Sequence, residues 1–464
     1  MSQTFDVIII GGGPAGYVCA IRAAQLGMST AVVEKEKLGG VCVNVGCIPS
    51  KALLHSAAVA NLLKHDAKRL GIMVEGVTLD FAAAVTHSRQ VADQNSKGTE
   101  FLMKKNKITV ITGAGTLKPR RAVDVGGTTY QATKAVVLAT GTQVKGIPQV
   151  GLELNGSTVM SSDEALFLRE PPASIAIVGA GPIGCEFADI LNAFGSKVTL
   201  IEVLPRILPL EDADASDAIA KVYKKRKIDI LAGAKVIKAT VTDANVTLGI
   251  EHDGASLTLE VDRVLVAAGR QLNTEDLGLE ACGVQLTPDG FIKVDARLRT
   301  TADGVYAIGD VAGMPMLAHK GSREGVTVAE TIAGRTPRPI RYDNIPGVTY
   351  CHPEVASIGL TEDQCKEQRL DYVVGRFPLT ANGRARATLE TDGFVKIIRD
   401  KRYGEILGAH IVASHASEMI HELALARENE YTVEEIDLAV HAHPTLSEAV
   451  AEAVLDSLGR VLHT

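Results

Sequence analysis

The chain has 464 residues, of which 46% are hydrophobic and 22% charged, and its formal net charge is −7. This length predicts about three domains, and the composition is that of a well-packed globular protein. The acidic balance gives no support for nucleic-acid or membrane-surface binding. No apolar run reaches the roughly 18–20 residues that span a bilayer, and the N-terminus lacks the basic region of a secretory signal. We therefore expect a cytoplasmic protein with neither a nucleic-acid nor a membrane partner.

The first predicted element is an apolar strand at residues 5–10, followed by Gly11-Gly-Gly-Pro-Ala-Gly16, a helix and a strand that ends at Glu34. Glycines at 11, 13 and 16 allow a tight strand-to-helix turn, a close approach of a pyrophosphate to the backbone, and close packing of the helix. Glu34 can accept hydrogen bonds from ribose hydroxyls. A single glycine run of this kind is weak, because a tight turn in an α/β sheet explains it equally well.

Two cysteines follow this fingerprint in Gly39-Gly-Val-Cys-Val-Asn-Val-Gly-Cys-Ile-Pro-Ser-Lys51. Cys42 and Cys47 fit a redox-active thiol pair, a zinc-binding pair or two inert core residues. No second Cys/His pair with metal-like spacing is evident, so a metal site is not expected. A helix predicted to begin near Pro49 favours the redox interpretation, because a helix N-terminus stabilises a thiolate. The other five cysteines are predicted to be small buried hydrophobic residues.

The same pattern returns after a buried strand at 135–141. An apolar strand at 174–178 leads into Gly179-Ala-Gly-Pro-Ile-Gly184, a helix and a strand ending at Glu202. In both copies the acidic residue lies 23 positions after the first glycine. A second buried strand, at 264–269, closes this copy. The repeat predicts two successive α/β dinucleotide-binding domains.

The two copies are expected to bind different dinucleotides. The first is assigned to FAD, because the thiol pair follows it directly and thiols exchange electrons readily with a flavin. The second is assigned to NAD, because Glu202 would repel a 2′-phosphate and bind a free 2′-hydroxyl. Arg206 is the nearest basic residue that argues for NADP, and a single arginine is weak support.

The rest of the chain predicts a completion of the first domain and a separate C-terminal one. Residues 304–310 are a short buried strand ending at Asp310, and Pro337, Pro339 and Pro346 indicate a linker. Beyond it, strands such as 393–398 and helices at 415–428 and 446–459 predict an α+β domain. We expect domains at 1–148 (FAD, first part), 149–270 (NAD), 271–346 (completing the FAD site) and 347–464 (interface).

A further cluster is His441-Ala-His443-Pro-Thr-Leu-Ser-Glu448. It has a purely structural interpretation, since Thr445 and Glu448 have the spacing of a capping box that opens a helix. Thiol–disulfide exchange, however, needs a base with a pKa near neutrality, and histidine fits best. Pro444 is expected to hold His443 extended, and Glu448 to orient its ring.

Together these motifs resemble those of the flavin-dependent pyridine nucleotide–disulfide oxidoreductases, over essentially the whole chain. The resemblance implies two Rossmann-like domains followed by a C-terminal α+β dimerisation domain. It implies an FAD site formed by Gly11, Gly13, Gly16, Glu34, Lys51, Gly115, Asp310 and Ala318. It implies an NAD site formed by Gly179, Gly181, Gly184, Glu186, Glu202, Val236 and Gly269, with Glu186 beside Lys51.

Within this family the chain is most similar to members that oxidise dihydrolipoyl groups with NAD⁺. That similarity implies that Cys42 faces the substrate and Cys47 the flavin. His443 and Glu448 would form an acid–base pair that serves the thiols of the other subunit of a homodimer. The expected partner is a lipoyl-bearing carrier protein, on another chain, of a 2-oxoacid dehydrogenase complex or of glycine cleavage.

Three alternatives remain. A glutathione reductase would be expected to have basic residues near Glu202, and a mercuric reductase a vicinal cysteine pair at the C-terminus. A non-catalytic redox-sensing flavoprotein is the third. The chain also departs from the family pattern at Val41, where threonine is usual, and at Tyr350-Cys-His-Pro-Glu354, where Tyr-Thr-x-Pro-Glu is usual.

Overall fold

A computed structural model of the chain describes residues 3–463. The chain divides into two compact units. The first comprises the residues up to Ala52 together with Thr86–Lys145 and Gly269–Ile340. The second comprises Leu53–Val85, Gly146–Ala268 and the chain from Arg341 onward. The finer division into four domains stays a prediction.

The N-terminal third contains the first fingerprint and the thiol pair. Its strands are β1 (Gln3–Ile10), β2 (Thr30–Glu34), β3 (Thr109–Thr112), β4 (Gly115–Lys118), β5 (Ala122–Val125), β6 (Thr128–Leu138) and β7 (Thr142–Val144). Its helices are α1 (Pro14–Gln25), α2 (Gly40–Val45), α3 (Cys47–Asn61) and α4 (Phe81–Lys105).

The middle of the chain contains the second fingerprint. Its strands are β8 (Val159–Met160), β9 (Ser174–Val178), β10 (Lys197–Glu202), β11 (Asp229–Ala232), β12 (Lys235–Val241), β13 (Val246–His252), β14 (Ala255–Val261) and β15 (Arg263–Val266). Its helices are α5 (Ser162–Ala165), α6 (Pro182–Ala193) and α7 (Ala213–Lys225).

The remaining elements complete the first unit and form the C-terminal part of the second. The strands are β16 (Arg270–Leu272), β17 (Val305–Ala307), β18 (Gly347–Thr349), β19 (Glu354–Gly359), β20 (Tyr372–Pro378), β21 (Phe394–Asp400) and β22 (Ile406–Ala413). The helices are α8 (Ala318–Ile332), α9 (Glu362–Glu367), α10 (Gly383–Thr388), α11 (Ala416–Glu428), α12 (Val433–Asp437) and α13 (Glu448–Ser457).

The main sheet of the first unit has the order β3-β2-β1-β6-β5-β4, with β17 also paired to β6. Strand β1 is central and runs parallel to β2 and β6. Its side chains alternate between two cores: Ile8 and Ile10 pack on one face, and Val7 and Ile9 on the other. Burial on both faces explains why β1 is an almost continuous apolar run.

The second unit repeats this arrangement in a parallel sheet of order β11-β10-β9-β15-β8. In each copy the strand before the glycine turn is central and the strand ending in glutamate is its neighbour. An antiparallel three-stranded sheet, β12-β13-β14, follows the second copy. The predicted duplication is therefore present in the topology as well as in the sequence.

The C-terminal part of the second unit is an antiparallel sheet of order β18-β19-β22-β21-β20. Helices α11 and α13 supply Leu423 and Val450 to a core that they share with the sheet residues Val395 and Ile411. The predicted fold class, two Rossmann-like domains and a C-terminal α+β domain, is confirmed.

Candidate functional site

The first glycine turn lies at the carboxyl end of β1, where Gly11 has a φ of +110° that disfavours any residue with a Cβ. A Cβ on Gly16 would lie 1.9 Å from the carbonyl oxygen of Gly11. The backbone conformation and the close packing of the turn against the start of α1 therefore require glycine at both positions.

The second turn has the same geometry at the end of β9. Gly179 has a φ of +102°, and a Cβ on Gly184 would lie 1.9 Å from the carbonyl oxygen of Gly179. The two copies of the motif therefore place their first and third glycines under the same steric constraint.

The middle glycine of each turn has no such constraint. Gly13 and Gly181 have φ values of −69° and −74°, which any residue adopts. A Cβ on Gly13 would come no closer than 3.9 Å to another residue, and one on Gly181 would have nothing within 4 Å. Both positions border open space at a helix N-terminus, where backbone N–H groups favour a pyrophosphate. The residues present therefore fit a dinucleotide at each turn.

The two glutamates hold their turns through equivalent bonds. The carboxylate of Glu34 accepts the N–H of Gly12 at 2.7 Å and that of Glu36 at 2.8 Å. Glu202 accepts the N–H of Ala180 at 2.8 Å and that of Leu204 at 2.9 Å. Each carboxylate thus fixes the glycine turn to the neighbouring strand and keeps lone pairs for ribose hydroxyls.

Other predicted FAD-site residues lie in the first unit around the first turn. A Cβ on Gly115, in β4, would lie 3.0–3.1 Å from Val33 and Ile10, at the ends of β2 and β1. A Cβ on Gly309 would lie 3.1 Å from Ala15, in the first turn of α1. Asp310 follows Gly309, so the structure brings its segment close to the turn.

The remaining two predicted FAD-site residues lie on helices. Ala318 is the first residue of α8, and Lys51 lies in α3, four residues after Cys47.

Asp310 is held by side-chain bonds. Its carboxylate accepts a hydrogen bond from the Thr142 hydroxyl at 2.8 Å, and that hydroxyl accepts one from Arg270 at 2.7 Å.

Sequence reasoning missed two residues that hold the Asp310 segment. Glu324 accepts the N–H of Gly309 at 2.7 Å. The ammonium of Lys320 donates to the carbonyls of Gly309 and Gly313 at 3.0 and 2.6 Å. Both side chains are almost fully buried and 3.4 Å apart. A Lys and a Glu four apart on a helix usually indicate a solvated face, so the sequence carried no signal of burial.

The predicted NAD-site residues are divided between the units. Val236 lies buried in β12, and Glu186, buried on α6, accepts the N–H of Tyr350 at 3.0 Å. Gly269 belongs to the first unit and has a φ of +104°. Arg206 forms an ion pair with Asp363 at 2.9 Å, so this guanidinium already has a partner.

The thiol pair forms a disulfide between Cys42 in α2 and Cys47 in α3, with Cα atoms 4.7 Å apart. The amide of Asn44 donates to the carbonyls of Leu38 and Gly40 at 3.1 and 2.9 Å, which fixes α2 on the loop before it. Helix α3 begins at Cys47, two residues before the predicted start near Pro49. Cys47 therefore lies directly at the helix N-terminus, where partial positive charge favours a thiolate.

The other cysteines are mostly buried, as predicted: Cys19, Cys185, Cys351 and Cys365 are buried, whereas Cys282 is half-buried. Burial raises the pKa of the Cys19 thiol to about 12. Cys351 and Val41 are the two positions at which the chain departs from the family pattern. Cys351 is buried, and Val41 lies in α2 beside Cys42.

His443 lies in the loop between α12 and α13, with its side chain 78% exposed. Its Nδ1 is 2.8 Å from a carboxylate oxygen of Glu448. Because that oxygen only accepts, Nδ1 donates the proton and the lone pair of a neutral ring lies on Nε2. This arrangement is the one that a histidine base requires.

The predicted capping box is only half formed. Glu448 accepts the N–H of Thr445 at 2.7 Å, but the Thr445 hydroxyl donates to the carbonyl of Ala442 and α13 begins at Glu448. The His443–Pro444 peptide bond is cis. Partial burial opposes ionisation of Glu448, but the bonds from Thr445 and His443 outweigh it and lower its pKa.

Comparison with known proteins places this geometry in a family. Residues 5–325 match the model of the pyridine nucleotide–disulphide oxidoreductases, and residues 345–454 match the dimerisation domain of the same proteins. The chain belongs to this family. It is accordingly an oxidoreductase, and the predicted cofactors FAD and NAD are those of the family.

Three relatives that match over the full length of this chain share one name. The chain is 43% identical to a dihydrolipoyl dehydrogenase of Bacillus subtilis, with 100% of both chains covered. It is 44% identical to one of Mycobacterium bovis, with 99% of both covered, and 42% identical to a mitochondrial one of Arabidopsis thaliana, with 100% of this chain and 92% of the relative covered. The predicted resemblance is confirmed.

Solved structures of the family are also similar. LpdA from Mycobacterium tuberculosis gives a TM-score of 0.89 at 28% identity, covering 97% of this chain and 99% of that one. The HOCl-induced flavoprotein disulfide reductase RclA from Escherichia coli gives 0.85 at 29% identity, covering 96% and 98%. Of the helices within residues 3–463, none is both long and apolar enough to cross a membrane.

Proposed function

We propose that this oxidoreductase oxidises protein-bound dihydrolipoyl groups to lipoyl groups and reduces NAD⁺ to NADH. The observation that carries the proposal is its 42–44% identity, over full length, to proteins named dihydrolipoyl dehydrogenase. A disulfide at a helix N-terminus and an exposed histidine bonded to a carboxylate supply the groups that the reaction needs.

His443 begins the reaction as the base. Its Nε2 removes the proton of one substrate thiol, and the resulting thiolate attacks Sγ of Cys42. The Cys42–Cys47 bond breaks, a mixed disulfide forms between Cys42 and substrate, and Cys47 leaves as a thiolate. The second substrate thiol then attacks the substrate sulfur of the mixed disulfide, and its proton passes to Cys42, which leaves as a thiol. The lipoyl ring closes, with the first proton still held by His443.

The two cysteines have different roles in this scheme. Cys47, as the first residue of α3, is the better leaving group because the helix N-terminus stabilises its thiolate. Glu448 holds the proton-bearing Nδ1 of His443 and stabilises the imidazolium that forms when Nε2 takes the substrate proton. The protein thus positions the leaving thiolate and the base, and it places a stabilising charge beside each.

Two dinucleotides complete the site. We assign FAD to the turn of Gly11, Gly13 and Gly16 with Glu34, Lys51, Gly115, Asp310 and Ala318. We assign NAD to the turn of Gly179, Gly181 and Gly184 with Glu186, Glu202, Val236 and Gly269. When bound, FAD would supply the acceptor for the electron pair of the dithiol, and NAD⁺ would supply the final hydride acceptor. The ion pair of Arg206 with Asp363 supports NAD over NADP.

The active form is a homodimer in which His443 of one subunit serves the thiols of the other. The loop of His443 lies in the segment that matches the dimerisation domain. Leu438 and Val440, beside it, are 80% and 99% exposed, and they offer apolar surface for a second subunit to cover. The substrate is presented by a lipoyl-bearing carrier of a 2-oxoacid dehydrogenase complex or of glycine cleavage.

A turnover comparison tests the proposal. FAD-loaded protein is given dihydrolipoamide with NAD⁺, and separately glutathione disulfide with NADPH, and nicotinamide absorbance is followed. We expect turnover with the first pair, at least about tenfold faster than with the second. Faster reduction of glutathione disulfide would support the glutathione reductase alternative. Absence of turnover with both pairs would favour a redox-sensing flavoprotein or a reductase of another disulfide.

A further inference from the structure

A second histidine–glutamate pair lies next to the proposed base. Nε2 of His441 is 2.7 Å from a carboxylate oxygen of Glu422 in α11, and its Nδ1 is 3.1 Å from the carbonyl oxygen of Ala439. The His441 side chain is only 10% exposed. No sequence argument assigned it a role.

The partners of His441 determine its protonation. A carbonyl and a carboxylate oxygen both only accept hydrogen bonds, so both ring nitrogens must donate. The ring that satisfies both contacts is therefore the imidazolium. The bond to Glu422 and its charge raise the pKa of His441 against the opposing effect of burial, with a smaller contribution from Glu448 of α13. In contrast to His443, His441 has no lone pair available to accept a substrate proton.

The location of the pair indicates what it does. Residues 438–447, between α12 and α13, form no helix or strand, and side-chain bonds link both halves of this loop to other residues. The downstream half is held by Glu448, through Thr445 and His443, and by the amide of Asn382, which donates to the carbonyl of Thr445 at 3.0 Å. The bond of His441 joins the upstream half to α11.

We propose that His441 is a positioning residue, whose bonds to Glu422 and Ala439 fix the loop so that His443 is held in its catalytic orientation. This inference rests on the proposed function, because it assumes that His443 is the base. A misplacement of about 1 Å in a catalytic group costs about 100-fold in rate, so a loop without regular structure needs such an anchor.

The test uses four variants of the full-length, FAD-loaded protein. His441→Ala removes both bonds. His441→Gln keeps a donor that reaches Glu422. Glu422→Ala removes the partner, and the double variant His441→Ala/Glu422→Ala closes a cycle. The matched control is His421→Ala, because His421 is an exposed histidine beside Glu422 on the same helix.

Turnover of dihydrolipoamide gives the first measurement. We expect His441→Ala and Glu422→Ala each to lower kcat about 10- to 100-fold, with the double variant no worse than either single one. His441→Gln should recover part of the loss, and His421→Ala should match the unmodified protein. NADH oxidation by ferricyanide, which bypasses the thiols and His443, should stay unchanged in all of them. A parallel fall in that activity would show general damage and overturn the proposal.

Hydrogen exchange gives a second measurement that does not depend on the substrate. Amides of residues 438–447 should exchange faster in His441→Ala and Glu422→Ala, and at the normal rate in His421→Ala. Unchanged exchange and unchanged kcat in His441→Ala would refute the positioning role. If the unmodified protein does not oxidise dihydrolipoamide, the proposed function fails, and exchange of the loop still decides whether His441 anchors it.

Discussion

At the scale of single residues, the candidate site contains two cysteines and two histidines whose surroundings differ. Cys42 and Cys47 form one disulfide, but Cys47 is the first residue of a helix of 15 residues and Cys42 lies in a helix of six. His441 and His443 each have one ring nitrogen bonded to a glutamate. In His441 the other ring nitrogen, Nδ1, is bonded to the carbonyl of Ala439. The two members of each pair thus differ in their surroundings and not in their residue type.

The first prediction concerns Cys47. Cys47→Ser leaves Cys42 without a disulfide partner, so we expect turnover of dihydrolipoamide to fall by at least about 100-fold. NADH oxidation by ferricyanide should persist. Cys282→Ser is the matched control, because Cys282 is half-buried and lies outside the disulfide. Normal dihydrolipoamide turnover by Cys47→Ser would rule out the proposed path.

At the scale of elements, the strand–turn–helix unit separates glycines that its own packing requires from a glycine that the packing does not require. Gly16 would collide with Gly11 if it carried a Cβ, whereas Gly13 has space for one. Helix α8 has two basic residues in different surroundings. Lys320 is buried and donates to the carbonyls on either side of the Asp310 segment, whereas Arg323 is exposed.

The glycine turn predicts that alanine at position 13 affects FAD binding and alanine at position 16 affects stability. Gly13→Ala should leave the free energy of unfolding almost unchanged and weaken FAD binding by at least about tenfold, since the methyl group occupies space for the pyrophosphate. Gly16→Ala should cost at least about 1–3 kcal/mol in stability. Chemical denaturation and FAD titration of the full chain measure both. Tight FAD binding by Gly13→Ala would contradict the assignment of this turn.

Helix α8 gives the third prediction. Lys320→Met removes the ammonium that donates to Gly309 and Gly313 and leaves Glu324 buried without its cation. We expect faster loss of FAD and a lower melting temperature, because the segment of Asp310 loses its support. Arg323→Met, on the exposed face, is the control. Equal FAD retention in the two variants would show that Lys320 does not support the site.

At the scale of the whole molecule, an ion cluster around buried Lys396 in the second unit joins elements distant in sequence. Lys396 in β21 donates to Asp212 and Asp214 at 2.9 Å and to Glu362 at 2.8 Å. Asp212 is also the N-cap of α7. The bond from Lys396 lowers the pKa of Glu362 to about 2. The cluster therefore ties the C-terminal sheet to the middle of the chain.

This cluster predicts a pH dependence of stability. Because the pKa of Glu362 is depressed, its contribution is complete above its usual value of 4.5 and is lost as pH falls toward about 2. Lys396→Met removes the ammonium from buried Asp212 and from the partly exposed Asp214 and Glu362, and it should cost about 3–5 kcal/mol at neutral pH.

The cost should shrink on acidification, because protonation neutralises those carboxylates. Unfolding of the second unit, followed between pH 7 and pH 3, measures the difference from the unmodified protein. The control is Lys401→Met, at an exposed lysine just beyond β21. An equal cost of Lys396→Met at both pH values would exclude the electrostatic explanation.

The sequence by itself determined the duplicated nucleotide-binding fold, because glycine spacing, apolar strands and the closing glutamate are local patterns imposed by backbone sterics. It also singled out Cys42, Cys47, His443 and Glu448, since their chemistry is visible in residue type and spacing. It placed the start of α3 two residues too late and predicted a complete capping box for α13, of which only half forms, because several residues near each helix end satisfy the same local rules.

Only the tertiary structure decided which polar residues are buried and which acceptors they meet. Lys320 and Glu324, the cluster around Lys396, and the pair of His441 with Glu422 all read as ordinary charged residues in the sequence. Their roles depend on partners in other elements or in loops, and such long-range contacts leave no periodic pattern along the chain.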